Sequence, residues 1–167
     1  MVKRSRARNP KNQTRGVRNQ ESESTGPGDY ELVERMPTVG EHRALAEAVG
    51  WDDHFDWSTV PASLAGSLHG VVAVARTGEA VAMGRLVGDG VHYFYVQDVV
   101  VHPDHESAGL GSSIVERLLT WVSYRADSQA FVGLFASEEA VGLYRDLGFE
   151  TTDMTGMHRS IEPAGKD

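Results

Sequence analysis

The sequence predicts an α+β fold, with about four helices flanking a mixed, mostly antiparallel sheet. Three stretches carry that reading. From Val99 to Leu119, the β-branched run Val99-Val100-Val101 breaks at His102-Pro103-Asp104. It passes through Gly109 and Gly111 into a segment whose apolar residues, Leu110, Ile114, Leu118 and Val122, recur at helical spacing. Ahead of it, Gly70–Arg76, Ala80–Val87 and Val91–Val101 are apolar runs joined at Thr77-Gly78 and Gly88-Asp89-Gly90. Such short turns suit an antiparallel meander. After it, the apolar run Ala130–Phe135 leads into a helical pattern over Ala136–Leu147.

The remaining elements follow in order. Residues 1–28 lack hydrophobic periodicity and are rich in Arg, Asn, Ser and Gly, so they read as a disordered basic tail. That tail is either a dispensable extension or an arm for RNA or an acidic partner. Residues 29–163 form the single domain that a chain of this length suits. Tyr30–Arg35 is a first strand, ended by Pro37. Thr38 with Glu41 three residues on is a capping box, and its helix runs to Val49 and stops at Gly50. Trp51–Trp57 is an aromatic, acidic loop. Ser58 or Thr59 caps a short helix over Pro61–Ser67, and the motif helix covers Gly109–Arg125. Ser137 caps the helix Ala136–Leu147, with Glu138 and Glu139 in its first turn and Gly148 at its end. Phe149–Thr152 and Met157–Ile161 read as two last strands, giving a sheet of six to seven.

Composition excludes several chemistries. There is no cysteine, hence no thiol nucleophile, disulfide or Cys-based metal site. The seven histidines show no ligand spacing, and no carboxylate completes a set with His102 and His105, so no metal is expected. No apolar run is long enough to span a bilayer, and no secretory core is visible, so the reading expects a cytoplasmic protein. Residues 1–25 hold seven of the sixteen Lys and Arg and two of the 24 Asp and Glu. The rest then carries nine basic and 22 acidic side chains, a net of −13. Such a domain is a poor nucleic-acid surface and draws amines more readily.

A strand feeding a glycine loop into a helix N-terminus is suited to anions, because the first-turn N–H groups have no intrahelical partners. The P-loop pattern is absent. G-x-G-x-x-G is incomplete, with Ile114 where the third glycine would fall. The run Val101-His102-Pro103-Asp104-His105-Glu106-Ser107-Ala108-Gly109-Leu110-Gly111 instead resembles V-x-P-x-[YH]-[QR]-G-x-G-[IL]-G of the GNAT superfamily of acetyl-CoA-dependent N-acetyltransferases. Glu106 replaces the usual Gln or Arg, and Ala108 replaces a frequently basic residue. About thirty residues on, Ala136, Ala140, Leu143, Tyr144, Leu147, Gly148 and Phe149 match the family's A-x-x-x-A-x-x-[FL]-Y-x-x-[LH]-G-F. Ser137 stands in place of its frequent Asn. Gly84-Arg85-Leu86-Val87 resembles the family's third strand.

The resemblance implies a three-layer fold with its sheet splayed between the fourth and fifth strands and acetyl-CoA in the notch. Pantetheine would pair with the main chain of the Val99-Val100-Val101 run, through Val99 and Val101. The pyrophosphate would lie on the loop Glu106, Ser107, Ala108, Gly109, Leu110, Gly111 and Ser112, held by backbone N–H groups from Ser107 onward. Ser137, Ala140 and Tyr144 would flank the cofactor. Tyr144 would protonate the departing thiolate, and an N–H near Val99 would polarise the thioester carbonyl. Asp98, beside Gln97, resembles the acidic position before V-x-V. It is a candidate base, directly or through a water, with a structural role as the other reading. Strand alternation puts Asp98 and Gln97 on opposite faces unless a bulge intervenes. Tyr93 and Tyr95 share the Gln97 face. With Trp51 and Asp52 of the aromatic loop they would line a pocket for a small-molecule amine. Dimers are common among such proteins. Two other functions stay open: a GNAT-like domain that binds acyl-CoA without turnover, and a protein- or RNA-associated modifier.

Overall fold

The computed structural model describes residues 29–151, 155–161 and 163–165. The basic tail expected over 1–28 lies outside the described residues. In chain order the elements are β1 (Tyr30–Val33), α1 (Val39–Ala48), α2 (Val60–Ala65), β2 (His69–Ala75), β3 (Ala80–Gly88), β4 (Tyr93–Val101), α3 (Leu110–Arg125), β5 (Phe131–Gly133) and α4 (Val141–Asp146). Single 3-10 segments cover Asp52–His54 and Pro103–Ala108.

The five strands lie in sequence order, β1 to β4 antiparallel and β5 parallel to β4. The meander turn before β4 is built by one side chain: Asp89 Oδ1 accepts the N–H groups of Val91, His92 and Tyr93 at 2.8–3.0 Å. One sheet face packs on α3. Leu110, Ile114, Val115, Leu118 and Val122 are all buried, and Ile114 and Leu118 meet Val71, Ala73, Leu86, Phe94 and Val96. Each such side chain stabilises the fold by about 1.5–3 kcal/mol relative to exposure. On the other face, Leu45 of α1 packs on Val72, Met83 and Val100. Helix α1 starts as expected. Thr38 Oγ1 accepts from the Glu41 N–H at 3.2 Å, the Glu41 carboxylate accepts from the Thr38 N–H at 2.7 Å, and Arg35 grips both carboxylate oxygens at 2.7 and 2.8 Å.

The C-terminal third departs from expectation. The sheet has five strands among the described residues, because Phe149–Thr151 and Met157–Ile161 find no strand partner; Thr152 lies outside the described residues. The expected strand Ala130–Phe135 shortens to the three residues that β4 can pair. The expected helix Ala136–Leu147 begins only at Val141. The Ala140 N–H closes a turn on the Ser137 carbonyl, so Ser137 sits ahead of the helix and does not cap it. Thr59 likewise makes no capping bond to α2 and spends its hydroxyl on the Asp56 carbonyl.

Candidate functional site

Strand β5 pairs with β4 at Tyr93, Phe94 and Tyr95 and goes no further. Beyond Tyr95, β4 has no strand on that side among the described residues, and the sheet opens into a cleft of about 420 Å³. One wall is β4 itself, from Tyr95 to Val99. The opposite wall comes from the segment after β5 and from α4, through Phe135, Ser137, Ala140 and Tyr144. Trp51, His54 and Phe55 close a third side. The unpaired backbone edge can hydrogen-bond an extended, amide-bearing ligand as an added strand would.

The loop after β4 supplies the second feature. Gly109 takes φ 70°, a left-handed conformation that turns the 3-10 segment Pro103–Ala108 directly into α3. The first-turn N–H groups of α3, at Leu110, Gly111 and Ser112, precede the first intrahelical bond, Ser113 N–H to Gly109 O. Gly111 is buried where α3, β4 and α4 converge. A Cβ there would lie 3.1 Å from Leu143 and 3.7 Å from Val101. The anion-suited helix start therefore adjoins both β4 and the α4 wall. Glu106, Ser107 and Gly109 are exposed, and Ala108 packs against the α3 core.

Tyr144, buried in the middle of α4, faces this cleft with Tyr95. Burial and the neighbouring Tyr95 push the Tyr144 phenol upward, so it stays protonated at neutral pH. Burial likewise raises Tyr95.

At Asp98 the structure corrects the alternation argument. Met83 pairs with Val100 and Arg85 with Gln97, so Asp98 and Val99 together oppose Gly84 in a β-bulge. Asp98 adopts φ 52°, and no other described non-glycine residue has positive φ. The bulge sends Val99 toward α3 and brings the Gln97 and Asp98 side chains together, Gln97 Nε2 donating to Asp98 Oδ1 at 2.8 Å. Asp98 Oδ2 accepts from Arg85 Nε at 2.7 Å and from His42 Nε2 at 3.0 Å. Burial works against the charge, but the His42 bond, the Arg85 charge and the other hydrogen bonds outweigh it and hold the carboxyl at about 2. A carboxylate so engaged is a weak proton acceptor near neutral pH.

Of the expected residues, the cleft gathers Trp51, Tyr95, Gln97, Asp98, Val99, Ser137, Ala140 and Tyr144. Val101 and the expected pyrophosphate residues Glu106, Ser107, Ala108, Gly109, Leu110, Gly111 and Ser112 lie outside its lining, and so do Tyr93, Asp52 and Val100. Tyr93 is 60% exposed where β5 begins, with its ring against His92 and Phe131. Asp52 enters the 3-10 turn, where its carbonyl accepts from Trp57 Nε1. Val100 points to the opposite face, into the α1 core. Sequence reasoning missed His54, Phe55 and Phe135 on the walls, and His42 and Arg85 behind them. His54 and Phe55 lay inside the aromatic stretch already singled out, and Phe135 ended an apolar run. His42 carried no sequence signal.

A model of the acetyltransferase (GNAT) domain matches residues 68–151. This chain belongs to the GNAT family. The match spans β2 through α4, which supply two of the cleft's sides; the side made by Trp51, His54 and Phe55 precedes it. Over 77 residues, 46% of its length, the chain is 40% identical to serotonin N-acetyltransferase 2, chloroplastic, of Oryza sativa subsp. japonica and covers 38% of that protein. It is 36% identical over 78 residues to GCN5-related N-acetyltransferase 1, chloroplastic, of Arabidopsis thaliana, covering 47% of this chain and 39% of that one. The chain thus spans about two fifths of the length of these curated relatives. Among solved structures, a GNAT-family acetyltransferase from Streptococcus pneumoniae aligns with TM-score 0.68 and 28% identity, over 80% of this chain and 99% of that one. A probable acetyltransferase from Staphylococcus aureus shares the GNAT fold at TM-score 0.71 and 24% identity, over 79% and 99% of the two chains.

Proposed function

We propose that this GNAT protein is an N-acetyltransferase that moves the acetyl group of acetyl-CoA directly to the primary amine of a small molecule with an aromatic or apolar body. One observation carries the reading. The buried Tyr144 phenol and the β4 edge beyond Tyr95 line one cleft, and the start of α3 adjoins β4 and α4 at Val101 and Leu143.

Acetyl-CoA brings the activated acyl group. The β4 edge offers N–H and C=O groups to the pantetheine amides. The α3 amides after Gly109 and the helix dipole hold the pyrophosphate. A main-chain N–H at the bulge near Val99 polarises the carbonyl. The amine nitrogen bonds to the acyl carbon, the C–S bond breaks, and Tyr144 gives its proton to the sulfur. Because Asp98 is engaged by Arg85, His42 and Gln97, the amine loses its proton to water in the cleft rather than to this carboxylate.

The acceptor class follows from the walls. Trp51, Phe55, Tyr95 and Phe135 are aromatic, and Asp98, the one carboxylate of the lining, is paired with Arg85. A polycation finds no unpaired anion there, whereas an arylalkylamine finds ring faces. The rice relative's name specifies such an amine, serotonin.

A second reading, acyl-CoA binding without turnover, draws on the 3-10 segment before α3. It carries Asp104 and Glu106 and no Lys or Arg beside the pyrophosphate site. Titration calorimetry with acetyl-CoA, together with CoA release across arylalkylamines, polyamines and amino acids, separates the two. The transferase reading expects binding and release that depends on arylalkylamine. Binding without release on any amine favours the second reading, and no binding overturns both.

A further inference from the structure

Asp98 is the strained point of the cleft wall. A left-handed conformation is costly for an L-residue and persists where its surroundings over-determine it. Here the surroundings are three donors from different parts of the chain: His42 of α1, Arg85 of β3 and the adjacent Gln97. Arg85 reaches Asp98 through Nε, and its Nη1 donates to Ser67 Oγ at 2.8 Å, so the guanidinium is itself fixed at both ends. His42 is 1% exposed, and its Nδ1 is buried with no hydrogen-bond partner. Among the described residues, its bond to Asp98 is therefore the ring's one hydrogen bond. The same imidazole meets Phe55, a cleft-lining residue, edge-on with centroids 4.8 Å apart, and Trp57 at 5.6 Å.

We propose that His42 and Arg85 are positioning residues for acyl transfer: by clamping the Asp98 carboxylate they hold the bulge of β4, and so fix the main chain that Val99 presents to the acyl group. The proposal rests on the acetyltransferase reading above. His42 has a second task that Arg85 lacks. It backs the Phe55 wall, so one ring sets both the acyl-side strand and the acceptor-side wall. Neither residue touches substrate, and both act through others.

The test uses the full chain and three substitutions. His42→Gln keeps a side-chain N–H of similar reach to Nε2. His42→Leu fills the space without a donor. Arg85→Met removes the charge and keeps much of the bulk. In 1H–15N spectra of the free protein, His42→Leu is expected to move the Asp98 and Val99 amide signals while those of Ile114 and Leu118 in the α3 core stay in place. In turnover, His42→Leu is expected to lower kcat about tenfold or more with little change in the KM for acetyl-CoA, since small misplacements at a reacting centre act on the transition state. His42→Gln is expected to recover most of that kcat and to return the Val99 amide toward its original position. A role in stability alone predicts that both His42 variants lose kcat in step with their melting temperatures. Equal loss in the two, or an unmoved Val99 amide in His42→Leu, overturns the proposal. So does wild-type kcat in a folded Arg85→Met. If Arg85→Met does not fold, the His42 pair decides alone. If the unsubstituted protein transfers no acetyl group, the transferase reading fails, and the amide spectra still decide whether the clamp holds the bulge.

Discussion

Asp98 on β4 accepts a 2.7 Å hydrogen bond from Arg85 on β3, and the two side chains form an ion pair that is almost wholly out of solvent. The pair ties stability to pH. The folded carboxyl sits at about 2, below the ordinary Asp value near 3.8, so the folded state binds its proton less readily than the unfolded chain does. The resulting stabilisation, about 2 kcal/mol, is present in full above pH ~4 and disappears as the pH falls from there toward 2. Glu41, held at about 2 by the Arg35 hydrogen bond, adds to the same window with a smaller effect because it is partly solvated. The Asp98 carboxyl carbon, followed by NMR, is expected to titrate well below pH 3. A midpoint near 4 contradicts the ion pair.

Tyr144→Phe isolates the phenolic proton. The ring keeps its packing against Phe149, so the fold and acetyl-CoA binding are expected to persist. A general acid contributes about 10²–10⁴-fold, and turnover is expected to fall toward the lower end of that range, because water can enter a cleft this open. Comparison of kcat with the calorimetric affinity for acetyl-CoA checks this. Unchanged kcat makes Tyr144 a packing residue.

Gly84 lies opposite the bulge and under α3. A Cβ there would come within 2.6 Å of Ile114 Cγ2 and 3.3 Å of both Leu118 and Val99. These neighbours are close-packed, so Gly84→Ala overfills the core and is expected to cost about 1–3 kcal/mol. Pairing it with Ile114→Ala opens the space, and the double variant is expected to be less destabilised than the two single costs combined. Chemical denaturation of the four proteins completes the cycle. Strict additivity places the strain elsewhere.

What the sequence revealed, and what it hid, divides along physical lines. Capping at Thr38, the β4–Gly109–α3 junction and the position of Tyr144 were legible, since each depends on residues within a few positions of one another. The bulge was not. It needs positive φ at an aspartate, where glycine is the usual marker, and two of the three donors that hold it there lie 13 and 56 residues away. For the same reason period-2 alternation failed between Val96 and Val99. Residues 157–161 were expected as a strand, but a strand exists only where a neighbour pairs it, and pairing is not written in one segment's own pattern. Ser137 shows a further limit. A serine followed by two glutamates has the composition of a helix start, and here the chain first makes a turn at Ala140, which leaves Ser137 on the cleft wall.

Trp51 tests the acceptor class. It lines the cleft beside His54 and Phe55 and remains 38% exposed, so its ring has room to meet a ligand. An acceptor ring covering that face gains about 0.5–1.5 kcal/mol beyond burial alone, and a small aliphatic amine gains little. Trp51→Ala is therefore expected to raise the KM for arylalkylamines about tenfold while shifting that for aliphatic amines far less. The KM for acetyl-CoA is expected to stay within about twofold, since the residue lies away from the β4–α3 junction. Steady-state kinetics on matched aryl and alkyl amines decides the point. An equal rise for both kinds of acceptor would mean that Trp51 orders the Trp51–Trp57 segment as a whole and does not select the acceptor's ring.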